Sequence, residues 1–280
     1  MMTDQTIQED RYCVHQVTLM EQCSFQQSVE CLSRQGIYKT AVWRQKLDEI
    51  GEQEGRRILE DLGVTPIALC AAVLLGDRSS ANVTQCLAQN RKILDQAAAI
   101  GASSVIVITG GLDGYGRDLR RARSMSLEIL AALAPYASEL GIRLILEPLH
   151  PMVCGNRSVI STLEEANQIL NAIDRDDVLG IALDTYALWW QSDLQSQIEQ
   201  AGRRISHLHV SDWLTDTQDL RLDRGMPGDG LINNRQIRLW LEATGFNGAV
   251  EVEIFSKRNW WRKPADEVVS VIRQRYASCL

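Results

Sequence analysis

The chain has 280 residues, of which 45% are hydrophobic and 23% charged, and its formal net charge is −7. That length can bury a large core and suits a single α/β barrel as well as it suits two smaller domains. The acidic balance argues against a nucleic-acid partner, which needs a basic face, and no run of about 18 apolar residues is present to cross a membrane.

Residues 1–11 are polar and acidic and read as a flexible tail with no apolar stretch of a signal peptide. Residues 12–280 read as one domain. The seven cysteines are odd in number and form no C-x-x-C. That pattern points to small buried thiols in a reducing compartment, and so to a cytoplasmic protein.

Tyr12 to Thr18 is the first expected strand. Ser24 caps a helix with apolar residues at Phe25, Val29 and Leu32, stopped at Gly36. A strand over Ile37–Val42 ends at Trp43-Arg44. A helix follows from Leu47 to Leu62, then a strand within Pro66–Val73. Asn82 to Ile100 is a long amphipathic helix closed by Gly101.

Ser104-Val-Ile-Val-Ile108 is an unbroken β-branched run, as expected for a strand covered on both faces. Gly110-Gly111, with Gly114 and Gly116, suggests a close backbone approach to a ligand or a mobile loop. The helix over Asp118–Leu140 should kink or split at Pro135. Arg143–Leu146 is the fifth strand. Further helices fall at Thr162–Ala172, Leu194–Ala201, Asn234–Thr244 and Pro264–Tyr276, and further strands at Leu179–Leu183, Ile205–His209 and Ala249–Glu253. Eight alternating strand–helix units predict a (β/α)8 TIM barrel. An open doubly wound sheet is the alternative, but the first strand–helix turn lacks G-x-G-x-x-G.

Four of these strands deliver a possible metal ligand at the C-terminal end, where barrel chemistry sits. They are Glu147 after strand five, Asp184 after strand six, His209 on strand seven and Glu253 on strand eight. Carboxylates with one imidazole make a hard site suited to Mn²⁺, Mg²⁺ or Co²⁺ and tolerant of Zn²⁺. His207 and His209 share one face of their strand. His209 lies nearer the mouth, which leaves His207 as a hydrogen-bonded core residue. The same reasoning prefers Glu253 to Glu251, and Glu251 then needs a buried partner that the sequence does not name.

Glu-Pro-Leu-His-Pro after strand five, Asp-Thr-Tyr after strand six, His-Leu-His-Val-Ser-Asp on strand seven and Val-Glu-Ile-Phe on strand eight resemble the sugar-phosphate isomerase/epimerase superfamily, the xylose isomerase-like TIM barrels. The similarity spans nearly the whole chain. Arg-Gly-Met-Pro-Gly-Asp-Gly at 224–230 and Glu-Ile-Phe-Ser…Asn-Trp-Trp at 253–261 resemble one bacterial branch and name no substrate.

The resemblance implies that Glu147, Asp184, His209 and Glu253 hold one divalent ion, usually Mn²⁺. It also implies that Glu147 and Glu253 act as the acid/base pair. An ion chelated by a ketone and its neighbouring hydroxyl stabilises the enediolate left when the α-proton departs. Two carboxylates on opposite faces then epimerise a ketose, and one base returning the proton to the adjacent carbon interconverts aldose and ketose.

The chain departs from the family pattern at Ala187, where many relatives carry a substrate-contacting histidine. Either His150 or Tyr186 takes over that work, or the substrate differs, or activity has been lost. His150, Asp212, Arg224, Tyr186, Trp43 and His15 are the candidate substrate contacts, with Arg157 a further cation for a phosphate or carboxylate. The expectation is a metal-dependent isomerase or epimerase of a small ketose or related α-hydroxyketone. A dehydratase of a keto-cyclitol and a non-catalytic ligand-binding barrel are the alternatives. The expected partners are a small sugar and no nucleic acid or membrane. A homodimer or homotetramer follows from the resemblance and from tryptophans (Trp43, Trp189, Trp190, Trp260, Trp261) clustered after strand ends.

Overall fold

The computed structural model describes residues 7–75, 82–112 and 116–280. Eight strands close into a barrel: β1 (Tyr12–His15), β2 (Lys39–Trp43), β3 (Thr65–Val73), β4 (Ser104–Ile108), β5 (Arg143–Leu146), β6 (Leu179–Asp184), β7 (Ile205–Val210) and β8 (Val250–Val252). Every neighbouring pair is parallel, and β8 pairs with β1 through Tyr12–Val250, Cys13–Glu251 and Val14–Val252. This is the predicted TIM barrel, closed so that no sheet edge is left to pair.

The helices form the outer layer: α1 (Phe25–Arg34), α2 (Arg44–Ile50), α3 (Glu52–Asp61), α4 (Val83–Ile100), α5 (Leu119–Glu139), α6 (Leu163–Ile173), α7 (Thr185–Leu188), α8 (Leu194–Ala201), α9 (Asn234–Ala243) and α10 (Ala265–Ser278). Capping residues fix several starts. Ser24 accepts from the Gln27 N–H while Gln27 accepts from Ser24, a reciprocal capping box. Asn82, Asp118 and Thr162 cap α4, α5 and α6. The Tyr276 hydroxyl on α10 lies 2.6 and 2.7 Å from the carbonyls of Cys13 and Val250, tying the last helix to the closing seam.

Local corrections have local causes. The expected helix over 47–62 is two helices, because Gly51 has φ +81° and breaks the ladder between α2 and α3. α5 runs through Pro135 as one helix. β1 stops at His15 and continues as a 3₁₀ turn over Gln16–Leu19. The expected tail is anchored earlier than residue 12. Ile7 is buried, and Arg11 donates to the Gly248 carbonyl and pairs with Glu242. Residues 1–6 and Gly114 lie outside the described residues.

The Gly110-Gly111 turn packs closely against the protein's own backbone. A Cβ on Gly111 would stand 2.3 Å from the Asn156 carbonyl oxygen, and the Gly110 N–H donates to the Arg157 carbonyl. The turn after β4 thus clasps the loop after β5. All seven cysteines are free, five of them buried, as the sequence predicts. Among the described residues, no helix is long and apolar enough to cross a membrane.

Candidate active site

At the C-terminal mouth, Glu147, His209 and Glu253 are buried and present ligand atoms within 4.8 Å of one another. Strand register explains the meeting. His209 pairs with Asp184 across β6–β7 and with Glu251 across β7–β8, so these interior side chains stand at one level. The residue after β8, Glu253, rises one step higher, and Glu147 follows directly after β5. His209 Nδ1 lies 3.0 Å from Glu147 Oε1.

Asp184 stands beside this trio rather than within it. Its Oδ1 accepts from the Tyr186 N–H, and its Oδ2 accepts from Arg224 Nη1 at 3.1 Å. The same nitrogen donates to Glu253 Oε2 at 3.0 Å. One guanidinium therefore bridges two of the four expected ligands and supplies the positive charge that a divalent ion would bring.

Burial dominates the electrostatics. It raises Asp184 to about 6, despite the opposing pull of Arg224. Burial also works to raise Glu253, but Arg224, with His15 and His209, outweighs it and holds the carboxyl at about 2. His209 is raised well above the ordinary histidine range, because Glu251 and Glu147 on its two sides overcome the cost of burying the cation.

A loop after β7 holds Arg224 in place. Its N–H donates to the Phe255 carbonyl, and Gly225 exchanges two backbone hydrogen bonds with Asp212. The Arg224 guanidinium lies 4.5 Å from the Tyr186 ring centroid and 5.1 Å from that of Phe255. Both rings offer cation–π contact.

This arrangement reassigns Asp212, which the sequence reads as a substrate contact. The residue is fully buried and its oxygens accept from the N–H groups of Trp213, Gly228 and Ile232. It shapes the loop that carries Arg224. Gly230 is required there, since a Cβ would stand 2.2 Å from the Trp213 carbonyl oxygen.

Tyr186 also differs from expectation. Its hydroxyl donates to the Leu220 carbonyl and its ring stacks on Trp213 at 4.8 Å. It is a support for Arg224. His15 is buried, with Nδ1 accepting from the Val17 N–H, so the neutral ring carries its proton on Nε2. That nitrogen points at Glu253 Oε1 from 3.6 Å. Burial lowers His15 to about 4, which keeps it neutral near pH 7. Trp43 flanks it at 5.6 Å. His207 is the expected hydrogen-bonded residue, 3.0 Å from Ser104 Oγ.

His150 is half-buried at the mouth, 4.9 Å from the Trp213 ring. Its Nδ1 accepts from the Met152 N–H, which leaves Nε2 uncommitted. Of the five tryptophans singled out above, Trp260 and Trp261 are buried and Trp190 is exposed. A large exposed aromatic surface for self-association is therefore not built from them.

Comparison with known proteins agrees with this fold. The family model described as "Xylose isomerase-like TIM barrel" matches residues 28–275. The chain belongs to the xylose isomerase-like TIM barrel family. Within it, the chain is similar to the inosose isomerase of Bacillus velezensis, at 24% identity over 94% of this chain and 95% of that one. Protein SMc04130 from Sinorhizobium meliloti superposes with a TM-score of 0.92 at 38% identity, covering 97% of this chain and 99% of the other. The IolI protein, whose crystal structure carries a zinc atom, superposes with a TM-score of 0.81 at 20% identity, covering 94% and 95% of the two chains.

The sequence resemblance implies a metal, and the donor set present here is chemically suited to one. Two carboxylates and an imidazole present ligand atoms within 4.8 Å of one another, with a third carboxylate adjoining. That is a hard-to-borderline set for a divalent cation. Ala187, the position where the sequence resemblance implies a histidine, is buried in α7, and its carbonyl accepts from Trp190 Nε1.

The signal that sequence reading missed is the bridging position of Arg224. The Arg-Gly-Met-Pro-Gly run marks a tight loop. Nothing in its spacing says that the arginine turns inward onto Asp184 and Glu253.

Proposed function

We propose that the protein is a divalent-metal-dependent isomerase or epimerase of a ketose or related α-hydroxyketone. The observation that carries this reading is the meeting of Glu147 and Glu253, from β5 and β8 on different sides of the barrel, at one imidazole in the mouth. Glu147, His209 and Glu253 would hold the ion, with Asp184 completing the set once Arg224 releases it. When bound, the ion supplies Lewis-acid polarisation of the substrate carbonyl. Mn²⁺ is the proposed ion, with Zn²⁺ supported by the IolI relative.

The chain's own groups do the proton work. One of Glu147 and Glu253 takes the α-proton, and the other returns a proton to the opposite face of the same carbon. His15 Nε2–H faces Glu253 and steadies its carboxylate. Arg224, freed from its two carboxylates, donates to a substrate oxygen. His150 Nε2 stands where the uncommitted imidazole of this site is, and it takes the role that Ala187 cannot perform. The name inosose isomerase in a relative favours a cyclic ketone among the substrates to try.

The test is α-proton exchange in D₂O, followed by NMR, with Mn²⁺-loaded protein and a panel of linear ketoses, their phosphates and keto-cyclitols. Deuterium should enter the α-carbon of at least one member. Glu147→Gln and Glu253→Gln should each cut exchange by about 10²–10⁴-fold while the fold persists. Loss of water without exchange would redirect the assignment to a dehydratase. No exchange from any ketone by metal-loaded protein would end the isomerase reading.

A further inference from the structure

Glu251 is a buried carboxylate that the chemistry above does not use. It is 1% exposed, and neither Oε1 nor Oε2 has a hydrogen-bond partner. A carboxylate in that state is strongly disfavoured unless a donor or cation faces it. The ionisable groups around it are Glu253 beside it on β8, Glu147 and Asp184 across the mouth, the thiols of Cys13 on β1 and Cys70 on β3, and His207 and His209 on β7, of which His207 has its Nε2 engaged with Ser104. His209 is the strong donor in that set.

Register places the two residues together. His209 and Glu251 are direct partners across β7–β8, with Nε2 of the imidazole 3.7 Å from Oε2 of the carboxylate. His209 Nε2 is itself buried without a partner. Two unsatisfied groups of opposite character thus face each other, and a rotation of the Glu251 carboxylate by about an ångström closes the hydrogen bond.

We propose that Glu251 is the positioning residue of the site. It accepts the Nε2–H of His209 and so fixes the tautomer whose Nδ1 lone pair points to Glu147 and Glu253. Nδ1 already lies 3.0 Å from Glu147 Oε1, on the side where those carboxylates converge. A ring held from behind by a carboxylate is a better-oriented and more basic ligand. This inference rests on the metal-site reading of the preceding section.

His207, His209 and Glu251 also form a ligand-like group of their own. Two ions on the two nitrogens of His209 would require a fully deprotonated imidazole. Nε2 of His207 is moreover engaged with Ser104. The interior group therefore serves the upper site rather than holding a second ion.

The experiment compares Zn²⁺ binding by wild type, Glu251→Gln and Glu251→Leu. Calorimetry gives affinity and stoichiometry, and ¹⁵N-histidine NMR of the zinc-loaded protein gives the tautomer. The chain has four histidines, so the spectrum is assignable by single substitutions. Wild type should bind one ion, with His209 protonated at Nε2. Glu251→Leu should bind about 10–100-fold more weakly and lose the fixed tautomer, while Glu251→Gln, which keeps an acceptor oxygen, should recover most of the affinity.

The metal-free Glu251→Leu protein leaves the buried His209 Nε2–H without an acceptor and should melt lower than wild type, with Glu251→Gln between the two, so the affinities are compared at a temperature where all three are folded. Wild-type affinity in Glu251→Leu, equal weakening in both variants, or two ions per wild-type chain would each overturn the role. If wild type binds no ion, the metal-site reading falls and takes this inference with it, an outcome distinct from the other three.

Discussion

The barrel interior has two unlike halves. Strands β2 to β6 contribute Ala41, Ala68, Cys70, Ile106, Ile145 and Ala182, a small apolar cluster with no titratable group beyond one buried thiol. Strands β7, β8 and β1 contribute His207, His209, Glu251 and, at the mouth, Glu253 and His15, joined there by Asp184 at the end of β6 and Glu147 just after β5. Several of their nitrogens and oxygens lack partners. The first half is what a packed barrel needs. The second carries polar groups that cost stability, and a fold keeps such a cost where chemistry repays it. The comparison says that the polar half is electrostatically incomplete by itself and the apolar half is complete.

The largest effect should come from removing the cation that joins the polar half. Arg224→Met leaves Asp184 and Glu253 buried and unpaired. The metal-free protein should lose about 3–5 kcal/mol, as expected for a broken buried pair. Added Zn²⁺ should then raise the melting temperature more than it does in wild type, since the ion no longer competes with a guanidinium. A loss below about 1 kcal/mol would show that the bridge is not what holds these carboxylates.

A substitution in the apolar half should separate the two. Ile106 is 1% exposed on β4. Ile106→Ala should cost about 2–5 kcal/mol through lost burial and a cavity, yet change Zn²⁺ affinity little, because it removes no ligand atom and no hydrogen bond of the site. A parallel fall in metal affinity would mean that the halves are coupled and the comparison is wrong.

The barrel and the placement of Glu147, His209 and Glu253 were readable in advance for one reason. An apolar run that ends in a carboxylate or imidazole is a local pattern, and the parallel topology converts strand ends into a common location. Contacts set by loops were not readable. Asp212 reads from the sequence as a substrate contact, and only the folded loop shows its oxygens taken by three backbone N–H groups. Arg224 lies 15 positions past His209 in the chain, and its inward turn depends on the pairing of Gly225 with Asp212. Gly51 carries a stop signal that the apolar spacing across residues 47–62 hides. Glu251 was recognised as a residue in need of a partner, and the partner is visible only in the register of β7 against β8.

The smallest effect, and the finest test of the comparison, is in the pH dependence of the metal-free protein. Burial raises Glu251 to about 8 and Asp184 to about 6, from ordinary values of 4.5 and 3.8. Between the unfolded and folded values, the folded chain holds protons that the unfolded chain has released. Stability from these groups is therefore present below about pH 4 and is lost as pH rises through 6 for Asp184 and 8 for Glu251. The raised His209 acts in the same direction, with its contribution present below 6.5 and lost above that value. Glu253, held at about 2, has the opposite sign, but its window lies below 4.5 and does not enter. His15 and His207, lowered by burial to about 4 and about 3, have the opposite sign up to pH 6.5 and offset Asp184 and Glu251 there. In chelator, the melting temperature should therefore change little from pH 5 to 6.5 and then fall, by roughly 2–4 °C per pH unit for each proton released, between pH 6.5 and 8. Glu251→Gln should flatten the upper part of that slope, whereas Ile106→Ala should lower the whole curve without changing its shape. A wild-type curve already flat from pH 5 to 8 would mean that the polar half is neutralised within the metal-free protein, and its unpartnered atoms would then cease to mark a site built for an added cation.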